Sequence, residues 1–105
     1  MPPLIKECVE SGVGGEIIIS DGGKEIGEEG KKLESELAEI AQKNSLNILG
    51  PNCLGFVNNS AQLNATFGQT TNLSGNLRFV SQSGAIAASL FDWCRSMELG
   101  FSHFV

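Results

Sequence analysis

Three short loops hold most of the chemistry that this 105-residue chain can offer. Ser20-Asp21-Gly22-Gly23, Gly50-Pro51-Asn52-Cys53 and Ser81-Gln82-Ser83-Gly84 each follow a short apolar run and combine small residues with hydroxyl, carboxylate, amide or thiol groups. The third leads into a helical stretch, whose first backbone N–H groups lack internal partners and carry the positive end of the helix dipole. Two hydroxyls and a glycine at that point fit a phosphate seat made by Ser81, Gln82, Ser83 and Gly84. The same residues also fit an ordinary serine N-cap on a core-packed helix. A serine nucleophile is rejected, because the hydrolase elbow needs Gly-x-Ser-x-Gly and Ser81 and Ala85 occupy the glycine positions.

The second loop reads either as a plain turn or as a site whose asparagine and backbone bond a carboxylate or a thioester carbonyl. Cys53 has no histidine partner in view, so it reads as a buried or site-lining thiol rather than a nucleophile. The only histidine, His103, falls in a strand near the end of the chain. The first loop can turn backbone groups toward a ligand edge, although a strand followed by glycines is a routine turn. Lys24 follows it and is the lysine best placed to meet an anion. Lys31 and Lys32 read as a solvated helix face, with Glu28 and Lys32 spaced as an i,i+4 pair.

The elements that must position these loops alternate along the chain. Pro3–Ser11 reads as a helix with Leu4, Ile5, Cys8 and Val9 on one face. Ile17-Ile18-Ile19 reads as a strand buried on both faces. Residues 27–44 form the clearest helix, with Leu33, Leu37, Ile40 and Ala41 on one stripe. Short strands are expected over 46–49, 77–80 and 101–105, and a helix over 84–97 with Ile86, Leu90, Trp93 or Cys94, and Met97 inward. Residues 54–76 read as irregular or weakly extended. Strands alternating with helices predict an α/β fold with a parallel sheet, and such sheets bind ligands beyond the carboxyl ends of their strands.

Composition narrows the class. A chain 41% hydrophobic and 18% charged is one soluble globular domain or pieces of two. No apolar run nears the roughly 20 residues of a bilayer span, and no signal peptide is read at Met1-Pro2-Pro3, so a cytoplasmic location is expected. Cys8, Cys53 and Cys94 make an odd count without CxxC spacing, which argues against a zinc knuckle and a disulfide framework and for reduced thiols. A net charge of −5 argues against nucleic-acid or anionic-membrane partners. Residues 1–43 hold ten of the twelve acidic side chains, whereas Arg78 is the only charge from Asn44 to Phe91. Uncharged, glycine-rich and half-apolar backbone of that kind fits a ligand site or a domain interface.

Four ordered blocks carry a family resemblance. Lys24-Glu25-Ile26-Gly27-Glu28-Glu29-Gly30, Leu49-Gly50-Pro51-Asn52-Cys53-Leu54-Gly55, Leu63-Asn64-Ala65-Thr66-Phe67 and Val80-Ser81-Gln82-Ser83-Gly84-Ala85 resemble the NDP-forming acyl-CoA synthetases. This group includes the ADP-forming acetyl-CoA synthetases and is related to the succinyl-CoA synthetase alpha subunit. The resemblance implies that residues 1–53 are the C-terminal part of a Rossmann-like CoA-binding domain. It further implies that 54–75 connect domains, and that 76–105 open a flavodoxin-like ligase domain. It implies CoA contacts at Ile19, Ser20, Asp21, Asn52 and Cys53, and phosphate contacts at Ser81, Gln82, Ser83 and Gly84. Ala88 stands where the succinyl enzyme has a tyrosine, which favours acetate over succinate.

The implied activity is the interconversion of acyl-CoA, ADP and phosphate with acid, ATP and CoA, through an acyl phosphate and a phosphohistidine. That histidine is expected beyond Val105, and the first glycine-rich CoA loop before Met1, so the chain is expected to be a fragment inactive alone. ATP/ADP and Mg would be handled outside it, by an ATP-grasp domain or subunit of an oligomeric enzyme, and no resident metal site is expected here. The alternatives are an acyl-CoA-sensing module of a protein acetyltransferase and a non-catalytic CoA-binding domain.

Overall fold

The structure is a computed structural model, which describes residues 1–67 and 74–105. Residues 68–73 of the expected inter-domain stretch lie outside the described residues. The chain divides into two compact units, Met1–Cys53 and Leu54–Val105.

In the first unit, helix α1 (Pro2–Glu10) starts with two prolines, whose missing N–H groups cost nothing in a first turn. Strand β1 (Gly15–Ile17) follows, then a 3₁₀ turn (Lys24–Ile26), helix α2 (Glu28–Asn44) and strand β2 (Asn47–Leu49). β1 and β2 pair in parallel, Ile17 opposite Leu49. The stripe expected on α2 is the one buried: Leu37 and Ile40 join Ile5, Ile18 and Leu46, with Val9, Leu33 and Ile48 at the margin. On α1, however, Leu4 is exposed and only Ile5 is fully buried. The triple isoleucine is not a strand buried on both faces. The ladder ends at Ile17, Ile18 turns inward, and Ile19 is exposed at the strand exit. Glu28 pairs with Lys31 at 2.6 Å rather than with Lys32, since i+3 lies on the same helix face as i+4.

The second unit departs from the expected parallel sheet. Residues 54–76 are not irregular throughout: β3 (Gly55–Asn58) and β4 (Leu63–Thr66) form an antiparallel hairpin closed by a 3₁₀ turn (Asn59–Ala61). β5 (Ser74–Phe79), helix α3 (Gly84–Ser96) and β6 (Phe101–Phe104) complete a mixed sheet in the order β4-β3-β6-β5. β6 runs parallel to β5 and antiparallel to β3. The hairpin is built from polar, uncharged residues such as Asn58, Asn59, Asn64 and Thr66, so its alternation is faint in the sequence. Side-chain bonds hold it, among them Asn59 Nδ2 to the Phe101 carbonyl at 2.7 Å.

The face of α3 is corrected in part, for Cys94 is buried and Leu90 packs against the core as expected, but the rest of the stripe is not. Ala87, Phe91 and Cys94 are buried, while Ile86, Trp93 and Met97 are more than half exposed (61%, 55% and 57%). Both stripes are apolar, so hydrophobicity cannot choose between them. Small Ala87 and Cys94 let the helix lie close to the sheet, and Phe91 fills the gap against Phe101 and Phe104. Phe79 stacks on Phe104 at 5.1 Å, completing an aromatic core.

Candidate functional site

In the first unit the two strand-exit loops are joined. The N–H of Ile18 donates to the Leu49 carbonyl at 2.8 Å, extending the ladder one step beyond β1. The chain then turns at Gly50, whose φ of 104° suits glycine, and a Cβ there would run into the Ile18 carbonyl. The Gly50–Pro51 peptide is cis. Asn52 takes a left-handed φ of 55°, which asparagine accepts more readily than most residues. Its N–H donates to the Ser20 carbonyl at 2.9 Å. The Cys53 thiol lies 3.3 Å from the Ile18 carbonyl and is half-buried. Ile19, Ser20, Asp21 and Asn52 are exposed, so they form one accessible rim with Cys53 beneath it.

The glycines of the first loop are not free to serve a ligand. Glu25 Oε1 accepts the N–H groups of Gly22 at 2.7 Å and Gly23 at 2.9 Å. Glu34, from α2, accepts the N–H of Lys24 at 2.8 Å. The Glu25 backbone N–H and that of Gly22 hold the Glu25 carboxyl below its ordinary value, with smaller help from Gly23 and the Lys24 charge. Of the backbone groups this loop was expected to turn toward a ligand edge, the N–H groups of Gly22 and Gly23 are already engaged. Glu25 lies only three residues from Gly22, a spacing visible in the sequence, whereas Glu34 reaches Lys24 from ten residues away on α2.

In the second unit, Ser81–Gly84 is anchored at both ends. The N–H of Ser81 donates to the Val105 carbonyl at 2.9 Å, and Val105 in turn donates to Phe79. Ser81 Oγ accepts the N–H of Ser83 at 3.0 Å. Ser83 is the N-cap of α3, its Oγ accepting from Ile86 N–H at 3.4 Å. The N-cap reading of this loop is seen directly. The cap is real, and it engages the N–H groups of Ser83 and Ile86 while leaving Gly84 and Ala85 as first-turn donors. Gly84, Ala85 and Gln82 are exposed, and a Cβ on Gly84 would meet nothing within 4 Å. His103 sits in β6 opposite Asn58 and Arg78, with Nδ1 3.2 Å from Ser102 Oγ.

Among the described residues no group of three or more histidine, cysteine, aspartate or glutamate side chains could hold a metal ion. No helix among them is long and apolar enough to cross a membrane.

Comparison with known proteins adds the following. Residues 74–105 match the succinyl-CoA ligase like flavodoxin domain family. Over 105 residues the chain is 41% identical to acetate–CoA ligase [ADP-forming] I of Archaeoglobus fulgidus, covering all of this chain and 15% of that protein. It is 50% identical over 99 residues to the alpha subunit of acetate–CoA ligase [ADP-forming] II of Pyrococcus furiosus, covering 94% of this chain and 21% of the subunit. A crystal structure from Pyrococcus horikoshii OT3 aligns with a TM-score of 0.93 at 44% identity, over 100% of this chain and 24% of that one. The dinucleotide forming acetyl-coenzyme A synthetase 1 of Ca. Korarchaeum cryptofilum, in complex with phosphate and ADP, aligns at 0.90 and 39% identity, over 98% and 22%. The chain therefore spans about a quarter or less of the length of these relatives. In sequence and fold it is related from end to end to a segment of the NDP-forming acyl-CoA synthetases, the group that contains the ADP-forming acetate–CoA ligases.

Proposed function

We propose that this chain is the segment of an ADP-forming acyl-CoA synthetase that carries part of the CoA contact surface and the phosphate-side helix. Residues 1–53 are then the C-terminal part of a Rossmann-like CoA-binding domain, and 76–105 open the flavodoxin-like ligase domain. In the reaction, a phosphate oxygen attacks the thioester carbonyl and the thiolate of CoA leaves, taking up a proton. The acyl phosphate formed passes its phosphoryl group to a histidine outside this chain, releasing the carboxylate, and the histidine passes it to ADP. The reverse direction makes acyl-CoA from acid, ATP and CoA. A small acid such as acetate is the substrate in this reading, in a cytoplasmic enzyme completed by an ATP-grasp domain or subunit.

The observation that carries the reading is the bond from Asn52 N–H to the Ser20 carbonyl, which joins the two loops into one exposed rim. That rim offers the Ser20 hydroxyl, the Asn52 amide and the Asp21 carboxylate, with no exposed lysine or arginine between them. Such a set suits the amide-bearing arm of an acyl-CoA, which is bonded by neutral donors and acceptors. On the phosphate side, the Gly84 and Ala85 N–H groups at the positive end of a 13-residue helix are the support. Calorimetric titration of the chain with CoA tests the reading. Saturable binding that the dephosphorylated adenosine portion alone does not reproduce is expected. No saturable heat with CoA, or the same heat from the adenosine portion alone, would contradict it.

A further inference from the structure

Three consecutive amides of one loop are tied by two carboxylates of the same unit. Gly22 and Gly23 donate to Glu25 Oε1, and Lys24 donates to Glu34 Oε1. Between them lies buried Gly23, at which a Cβ would press on Glu34 Oε1, Pro51 Cγ and Glu25 Oε2. A Cβ on Gly30, in the first turn of α2, would strike the Gly23 carbonyl. The loop is therefore seated on α2 below, against Pro51 beside it, and under two carboxylates. Its other end passes directly to Ser20, whose carbonyl holds Asn52.

We infer that Glu25 and Glu34 are positioning residues that lock the Ser20–Lys24 loop and so preset the rim formed by Ile19, Ser20, Asp21 and Asn52. The consequence for ligand recognition rests on the CoA reading above, whereas the lock itself does not. Hydrogen bonds to an ionised acceptor are stronger than neutral ones, and a single carboxylate accepting two adjacent amides fixes two peptide planes at once. The charged groups around Glu25 are Lys24, its neighbour in the chain, and Glu34 across Gly23. The Oε1 atom of each carboxylate faces the loop's own backbone, which is the contact a positioning residue makes.

The test is amide hydrogen exchange on the isotope-labelled chain, comparing wild type with Glu25→Ala, Glu25→Gln and Glu34→Ala. Glu25→Ala is expected to speed exchange at Gly22 and Gly23 by about tenfold or more while Lys24 stays slow. Glu34→Ala is expected to do the reverse. Glu25→Gln keeps a carbonyl acceptor and is expected to fall between. A variant that merely unfolds would lose protection at Ile18 and Leu46 as well. The second readout is then the wild-type protein, in which Gly22 and Gly23 amide shifts should follow one acid titration below the ordinary glutamate range. Exchange at Gly22 and Gly23 changing by less than about twofold in Glu25→Ala, or flat amide shifts through that range, would overturn the lock. Parallel CoA titrations separate the two ideas. Weaker CoA binding in Glu25→Ala supports both, whereas faster exchange with no CoA response even in wild type keeps the lock and removes the CoA reading.

Discussion

The backbone N–H of Asn52 reaches the carbonyl of Ser20 across 2.9 Å, although 32 positions separate the two residues in the chain. That bond converts two glycine-bearing loops, each unremarkable alone, into a single edge. It depends on a left-handed Asn52 and on a Gly50 pressed against the Ile18 carbonyl.

Gly50→Ala should therefore be costly. The added methyl meets backbone rather than a movable side chain, and φ at this position is 104°. A loss of about 1–3 kcal/mol in urea unfolding is expected for a residue forced into such a conformation. Asn52→Gly should be nearly neutral in the same assay. An unchanged midpoint for Gly50→Ala would mean that the turn relaxes freely.

Gly84→Val should separate folding from phosphate binding. Nothing lies within 4 Å of a Cβ at this position, so thermal stability should stay within about 1 kcal/mol of wild type. The branched side chain would cover the Gly84 and Ala85 N–H groups, and the amide shifts caused by phosphate should vanish. CoA response at Ile19–Asp21 should persist. Equal loss of both responses would contradict the division of roles.

Phe91→Ala removes the side chain that meets both Phe101 and Phe104 beneath α3. A cost of about 3–5 kcal/mol is expected, because the helix cannot close the gap without breaking the aromatic stack. Ile86→Ala, on the exposed stripe, should change stability by less than about 0.5 kcal/mol. Thermal melts of the two variants rank the two faces, and a reversed order would contradict the packing.

Cys8 should be a slow thiol. The Glu16 side chain beside it, partial burial and the negative charges of Glu16 and Glu7 raise its pKa above the ordinary value. Because the folded value is the higher one, the associated stability is present below the ordinary thiol pKa and lost as pH rises through the folded value. Iodoacetamide at mildly alkaline pH should alkylate Cys8 more slowly than a peptide thiol, and Glu16→Gln should speed it. Equal rates would remove the Glu16 effect.

The sequence was most legible where one physical signal dominated. On α2 a single apolar stripe faces an acidic one, and Leu37 and Ile40 are buried as that spacing requires. The places of the strand-exit loops were legible too, since Gly50-Pro51-Asn52 breaks the chain after β2 and Ser81-Gln82-Ser83 breaks it between β5 and α3. The face of α3 was not, because Ile86, Trp93 and Met97 are as apolar as Phe91 and Cys94, and only closeness to the sheet decides. The β3–β4 hairpin was hidden by polar residues whose bonds, such as Asn59 to Phe101, span 42 positions. Glu34 escaped for the same reason. Its partner, Lys24 N–H, is ten residues away and across a turn.

The most direct test of the proposed CoA rim is a CoA titration of the isotope-labelled chain followed by amide NMR, with phosphate added second. Shifts confined to Ile19–Asp21 and Asn52–Cys53 on adding CoA, then to Ser83–Ala85 on adding phosphate, are expected. A dispersed spectrum in which those amides ignore both ligands would contradict the account.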